Sequence, residues 1–191
     1  MNVILGILFF VLGSLAVYIF QKKKYSKTTE EDLVCEVIQK AFIREKHSDH
    51  NEHKLVKELL KSDAFIKELS LTAKFKGMVV GYILFTKVKV GNQTLLALAP
   101  LAVLPKFQKK GIGKSLVEKG HKIAKELGYK GVVVLGHPEY YKKFGYEPAS
   151  KWEIKCPIEV PDEAFMAIEL YPGALKEISG IVEYPKEFGI N

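Results

Sequence analysis

The sequence predicts an α/β (α+β) domain, a mixed and mostly antiparallel central sheet of about seven strands flanked by helices, preceded by one transmembrane helix at the amino terminus. Three observations carry this. Runs of β-forming residues at 69–75, 78–90 and 94–104 are separated only by Lys76-Gly77 and Gly91-Asn92, turn pairs that make three sequential strands an antiparallel meander. A basic loop with two close glycines then opens a helix-patterned segment, and a short, wholly apolar strand at 131–135 follows, so strand, loop, helix and buried parallel strand form one βαβ unit. Residues 3–20 contain no charge at all.

The amino terminus comes first. As a helix, residues 2–20 would be about 28 Å long, close to the roughly 30 Å hydrocarbon core of a bilayer. Thirteen of the eighteen residues from 3 to 20 are Leu, Ile, Val or Phe, which outweighs Gly6, Gly13 and Ser14. A cleaved signal peptide would carry its positive charge ahead of the apolar run, whereas Lys22, Lys23 and Lys24 follow it and no A-x-A site ends it. The expectation is a single-pass membrane anchor with a basic flank at 1–24 and one domain at 25–191. Positive charge on the carboxyl side places that domain in the cytoplasm, and the lysines suit anionic headgroups.

Composition narrows the rest. With 48% apolar residues, the 191-residue chain can bury one sizeable core. Cys35 and Cys156 lack any C-x-x-C or Cys/His ligand spacing, which fits a reducing compartment and no disulfide scaffold. The net charge of +7 comes almost wholly from lysine, and aromatic residues do not alternate with it, so nucleic acid is not the expected partner. A polyanionic ligand or an anionic membrane surface fits better.

Along the domain, Thr28 or Thr29 with Glu31 and Asp32 reads as a helix start, and Leu33, Val34, Val37, Ile38, Ala41 and Phe42 recur at helical spacing. Residues 44–53 are polar and hold His47, His50 and His53, read as a solvated loop entering a second short helix rather than as a metal site. Pro100 lies within the third strand of the meander and cannot donate to a ladder, so the strand should bulge or splay there and leave backbone groups free for a ligand. After the glycine loop, Leu116, Val117, Gly120, Ile123, Ala124 and Leu127 form one helix face that stops at Gly128. Residues 152–156 and 164–170 can supply two more strands.

The loop itself is the candidate site. A strand, a glycine loop and a helix in that order present backbone N–H groups and the positive end of a helix dipole to a phosphate. Two familiar loops are excluded by spacing. A P-loop would need glycine where Gln108 stands, and a dinucleotide fingerprint would need its third glycine where Leu116 stands. What remains is Gln108-Lys109-Lys110-Gly111-Ile112-Gly113, followed by Lys114.

This Q-x-x-G-x-G pattern resembles the acyl-CoA pyrophosphate loop of the GNAT superfamily of N-acetyltransferases, and Tyr141-Lys142-Lys143-Phe144-Gly145-Tyr146 resembles its later Y-x-x-x-G-[FY] motif. The segments 68–71, 100–105, 160–167 and the tail through Tyr184-Pro185 look like the branch of predicted N-acetyltransferases called YhbS-like. The likeness runs from about 28 to 188.

The resemblance implies a GNAT-like acyl-CoA N-acyltransferase fold, acetyl-CoA as cosubstrate and an amine as acceptor, and it admits a homodimer. It assigns backbone groups of Leu101, Ala102 and Val103 to the pantetheine arm, N–H groups from Lys109 to Lys114 to the pyrophosphate, and Tyr141 to proton donation toward the leaving thiolate. Residues 95–103 contain no acid to serve as the amine-activating base, and the Asn and Ala that usually precede the tyrosine are missing. The alternative reading is a non-catalytic, membrane-tethered acyl-CoA-binding or scaffolding module.

Overall fold

The computed structural model describes residues 29–45 and 48–190. It divides into two compact units, Met1–Leu33 and Val34–Asn191. Of the first, the described residues open helix α1 (Glu30–Phe42). Here the Thr29 N–H donates to the Asp32 carboxylate at 3.0 Å and the Asp32 N–H donates to Thr29 Oγ1 at 3.1 Å, a reciprocal cap that satisfies two donors the helix would otherwise leave open. The expected membrane span at 3–20 and its lysine flank lie outside the described residues, and among those described no helix is long and apolar enough to cross a membrane.

The second unit holds α2 (Glu52–Leu59), β1 (Ser70–Phe75), β2 (Met78–Val90), β3 (Gln93–Val103), α3 (Ile112–Glu126), β4 (Gly131–Leu135), α4 (Pro138–Tyr141), β5 (Glu147–Pro148), β6 (Ile154–Lys155), β7 (Phe165–Glu169) and β8 (Gly180–Glu183). The strands form one mixed sheet in the order β5-β7-β4-β3-β2-β8-β6, with β1 beside β2. The meander appears as expected, since β1 and β3 both run antiparallel to β2, and β4 returns parallel to β3. Among the described residues the count is eight, against the expected seven or so. The strands not expected are short: β5 is two residues, and β8 pairs with β2 only at Lys89↔Glu183 and Val90↔Val182, while β6, expected over 152–156, is two residues.

Helices cover both faces of the sheet, which is why β2 reads as a nearly unbroken apolar run. Ile83 and Phe85 join Leu116, Val117 and Ala124 of α3, whereas Tyr82 and Leu84 join Val34, Val37, Ile38, Val56 and Leu59 of α1 and α2. α3 reaches β2 closely because position 120 is glycine, where a Cβ would stand 2.2 Å from Phe85 Cε2. Beyond β7, the Glu169 carboxylate accepts from the N–H groups of Gly173 and Leu175, both at 3.0 Å, and so holds the following loop. These hydrogen bonds, Leu175 first, keep its acid below the usual carboxylate value.

Candidate active site

Two strands lying side by side part company in the middle of the sheet. β3 pairs with β4 only at Leu96↔Val132 and Ala97↔Val133. Past that point β3 stays with β2 as far as Val103↔Gly81, while β4 stays with β7 as far as Leu135↔Phe165. Each strand therefore follows its outer partner, and a gap opens between them. The cause is local: Ile83 faces Leu101 and Phe85 faces Leu98, so one residue of β2 opposes Ala99 and Pro100 of β3, a bulge at the proline the sequence singled out. From Leu98 to Val103 the edge of β3 toward β4 has no ladder partner among the described residues. Ala102 is buried toward α1 and α2, and Leu101 packs against the cluster under α3, so what these residues can offer a ligand is main chain.

The chain leaves β3 through a tight turn at Pro105–Phe107 and enters the glycine loop. The Gln108 side-chain amide donates to the Val103 carbonyl at 3.1 Å, tying the loop back to the strand end. Lys109 and Gly111 both take left-handed backbone conformations, φ 59° and 83°. The first hydrogen bond of α3 is donated by the Ser115 N–H to the Gly111 carbonyl at 2.9 Å, so the N–H groups just before it have no acceptor in the helix. Apart from its chain neighbours, no described atom lies within 4 Å of where a Cβ on Gly111 would stand. Open space, unpaired donors and a fifteen-residue helix behind them suit a diphosphate. The side chains divide differently: Ile112 turns into the core, Lys110 lies 5.4 Å from the Phe107 ring centre, and Lys114 pairs with Glu118 at 3.7 Å.

On the far side of the gap, α4 carries two tyrosines with different surroundings. Tyr141 is 8% exposed and stands edge to face with Tyr146 at 5.4 Å between ring centres. Burial, and then the neighbouring Tyr140 phenol, push its acid well above the ordinary phenol value. Its ring covers Gly136, where a Cβ would be 2.7 Å away. Tyr140 is half-buried and faces α3 instead, its hydroxyl 2.5 Å from where a Cβ on Gly113 would stand. The gap, the loop and the tyrosines thus meet at one end of the sheet.

The family is decided by comparison with known proteins. The domain model described as Acetyltransferase (GNAT) domain matches residues 67–148. The chain is 34% identical over 150 residues to the Uncharacterized N-acetyltransferase YhbS of Escherichia coli (strain K12), covering 78% of this chain and 89% of that one. The chain belongs to the GNAT family of acetyltransferases. Uncharacterized N-acetyltransferase YjhQ of the same strain is 36% identical over 135 residues, 68% of this chain and 72% of its own. Among solved structures, Escherichia coli YhbS in complex with CoA superposes with a TM-score of 0.73 at 33% identity over 82% of this chain and 87% of that one. A GNAT family acetyltransferase from Brucella melitensis in complex with acetyl-CoA does so with a TM-score of 0.69 at 28% identity, over 83% and 92%.

Within this GNAT fold, four side chains had been given no role from the sequence. Glu45, after α1, meets His137, after β4, with Oε1 3.6 Å from Nε2; no spacing rule links residues so far apart. His121 of α3 shares a hydrogen bond with the Tyr146 hydroxyl at 2.9 Å, and burial lowers its pKa to about 4, so it is neutral at pH 7. Tyr140 sits next to the tyrosine the motif selected. Of the three loop histidines, His47 lies outside the described residues, His50 takes a left-handed conformation and His53 belongs to α2. Among the described residues no three His, Cys, Asp or Glu gather as a metal site.

Proposed function

We propose that this GNAT protein is an N-acetyltransferase that moves an acetyl group from acetyl-CoA to an amine by direct attack on the thioester. The observation that carries the reading is the unpaired edge of β3, which leads without interruption to the open donors at the start of α3. Similarity to YhbS and to the Brucella melitensis enzyme, solved with CoA and acetyl-CoA, supports the choice of ligand. In this reading the main chain of Leu101, Ala102 and Val103 holds the pantetheine arm. N–H groups between Lys109 and Lys114 hold the pyrophosphate, and Gln108 braces the loop from behind.

The reaction needs a neutral amine, a polarised thioester and a stabilised thiolate. The amine nitrogen bonds to the acetyl carbon, the carbon–sulfur bond breaks, and the proton lost by the amine balances the one gained by the thiolate. A free backbone N–H on the β3 edge suits the thioester oxygen. Tyr141 donates a hydrogen bond toward the departing sulfur rather than its whole proton, because an ordinary phenol is already about 1.5 pKa units weaker an acid than a thiol and burial weakens it further. Ahead of the domain, residues 3–20 serve as a membrane anchor, with the domain on the cytoplasmic side, as the lysines behind them suggest.

Thermal unfolding of the full chain tests the reading. Acetyl-CoA at 100 times its Kd adds about 2.7 kcal/mol of stability, whereas ATP and NAD add none. Gly111→Val abolishes the effect by filling the open space beside the loop. Thiol release from acetyl-CoA across a panel of amines, peptides and tRNA then identifies the acceptor. An equal response to ATP would overturn the ligand assignment, and ligand binding without thiol release on any acceptor would favour the non-catalytic alternative.

A further inference from the structure

Tyr140 departs from the role its neighbour takes. The point where a Cβ on Gly113 would stand is 2.5 Å from the Tyr140 hydroxyl and 3.7 Å from Val103 Cγ2. Val103 ends β3 and Gly113 lies in the first turn of α3, whereas Tyr140 belongs to α4, which follows β4. The phenol therefore reaches across the gap between the two strands. Position 113 is glycine because a side chain there would displace the hydroxyl.

Several donors lie around this point. The Tyr140 hydroxyl makes no hydrogen bond among the described residues. The first N–H groups of α3 have no helical acceptor, and the Lys143 ammonium lies 3.6 Å from the centre of the Tyr140 ring. Burial raises the phenol's acid above its ordinary value, so it stays protonated and able to donate. Neighbouring donors without a helical acceptor suit phosphate oxygens, and a lysine over the ring adds charge of the right sign.

We propose that Tyr140 is a binding residue for the acyl donor, its hydroxyl donating to a diphosphate oxygen held at the start of α3, with Lys143 stacked behind it as counter-charge. This deepens the acetyltransferase reading and rests on it. The phenol forms the wall of the phosphate site that faces the loop, so the ligand lies between α3 and α4 with donors on both sides.

Calorimetric titration of the full chain with acetyl-CoA tests this. Tyr140→Phe keeps the ring and removes only the oxygen, and its Kd rises about tenfold, the size of one hydrogen bond to a charged group. Its melting temperature without ligand stays at the wild-type value. Inorganic diphosphate, which has no pantetheine arm to pack against the ring, competes less well in the Phe variant than in the wild type. Equal acetyl-CoA affinity in the two proteins would overturn the proposal, as would a loss of affinity that leaves competition by diphosphate unchanged. A wild-type chain that binds no acetyl-CoA would remove the acetyltransferase reading along with it, whereas normal binding by Tyr140→Phe would remove this assignment alone.

Discussion

Tyr141 and His121 are both buried titratable groups, and burial moves them in opposite directions because it disfavours whichever form is charged. For Tyr141 the charged form is the phenolate, so the hydroxyl remains a donor at any pH an enzyme meets. Tyr141→Phe leaves the ring against Gly136 and Tyr146 and removes that donor; kcat is expected to fall by about 10²-fold with acetyl-CoA affinity changed little. Wild-type kcat in that variant would assign Tyr141 to packing. For His121 the charged form is the imidazolium, and burial lowers its pKa from the ordinary 6.5 to about 4. As pH drops through this range the unfolded chain takes up a proton that the folded chain refuses, so stability is full above about 6.5 and declines toward 4, by on the order of a few kcal/mol. His121→Gln keeps a partner for the Tyr146 hydroxyl and cannot charge, so the difference in melting temperature between variant and wild type should shift in the variant's favour across that window. A constant difference would show that His121 titrates normally.

At the scale of elements, α3 depends on how near it lies to β2. Gly120→Ala should raise helix propensity by up to about 1 kcal/mol, yet the new methyl would meet the Phe85 ring, whose Cε2 is 2.2 Å from the Cβ position. Overpacking a well-filled core costs about 1 to 3 kcal/mol. The variant is therefore expected to be less stable in denaturant titration, and a gain in stability would show that Phe85 can turn aside. The helix face containing Gly120 was legible in the sequence, as were the meander, the βαβ unit and the bulge at Pro100, because each rests on local periodicity or on proline's missing N–H. β5 and β8 were not, since two to four residues carry no period, whereas β6 lies within the strand expected at 152–156. The division of labour between Tyr140 and Tyr141 was half legible: the motif picks out the second tyrosine, but only the packing of α4 over Gly113 shows what the first one faces. Glu45 and His137 meet through tertiary structure alone.

Across the whole molecule, charge is distributed unevenly: from 69 to 117 there is no acidic residue, and eight lysines stand among those 49 positions. These residues include β1, β2, β3 and the glycine loop, so the strands and loop that frame the site favour an approaching polyanion. The proposed anchor belongs to the same scale. Full-length protein is expected to sediment with membranes and to resist alkaline carbonate, and deletion of residues 1–24 to release it; a freely extracted full-length chain would remove the anchor from the proposal. The parting of β3 from β4 has a further consequence. Because each strand is held by its outer neighbour, the opening exists in the folded protein before any ligand arrives, and its main-chain groups are left without a strand partner from the start. In the proposed function, binding is thereby preorganised. Stability and activity should then pull against each other at the bulge: a chain shortened by one residue at Ala99-Pro100 could let β3 and β4 zip together, and the more stable sheet that resulted would have nowhere to put its substrate.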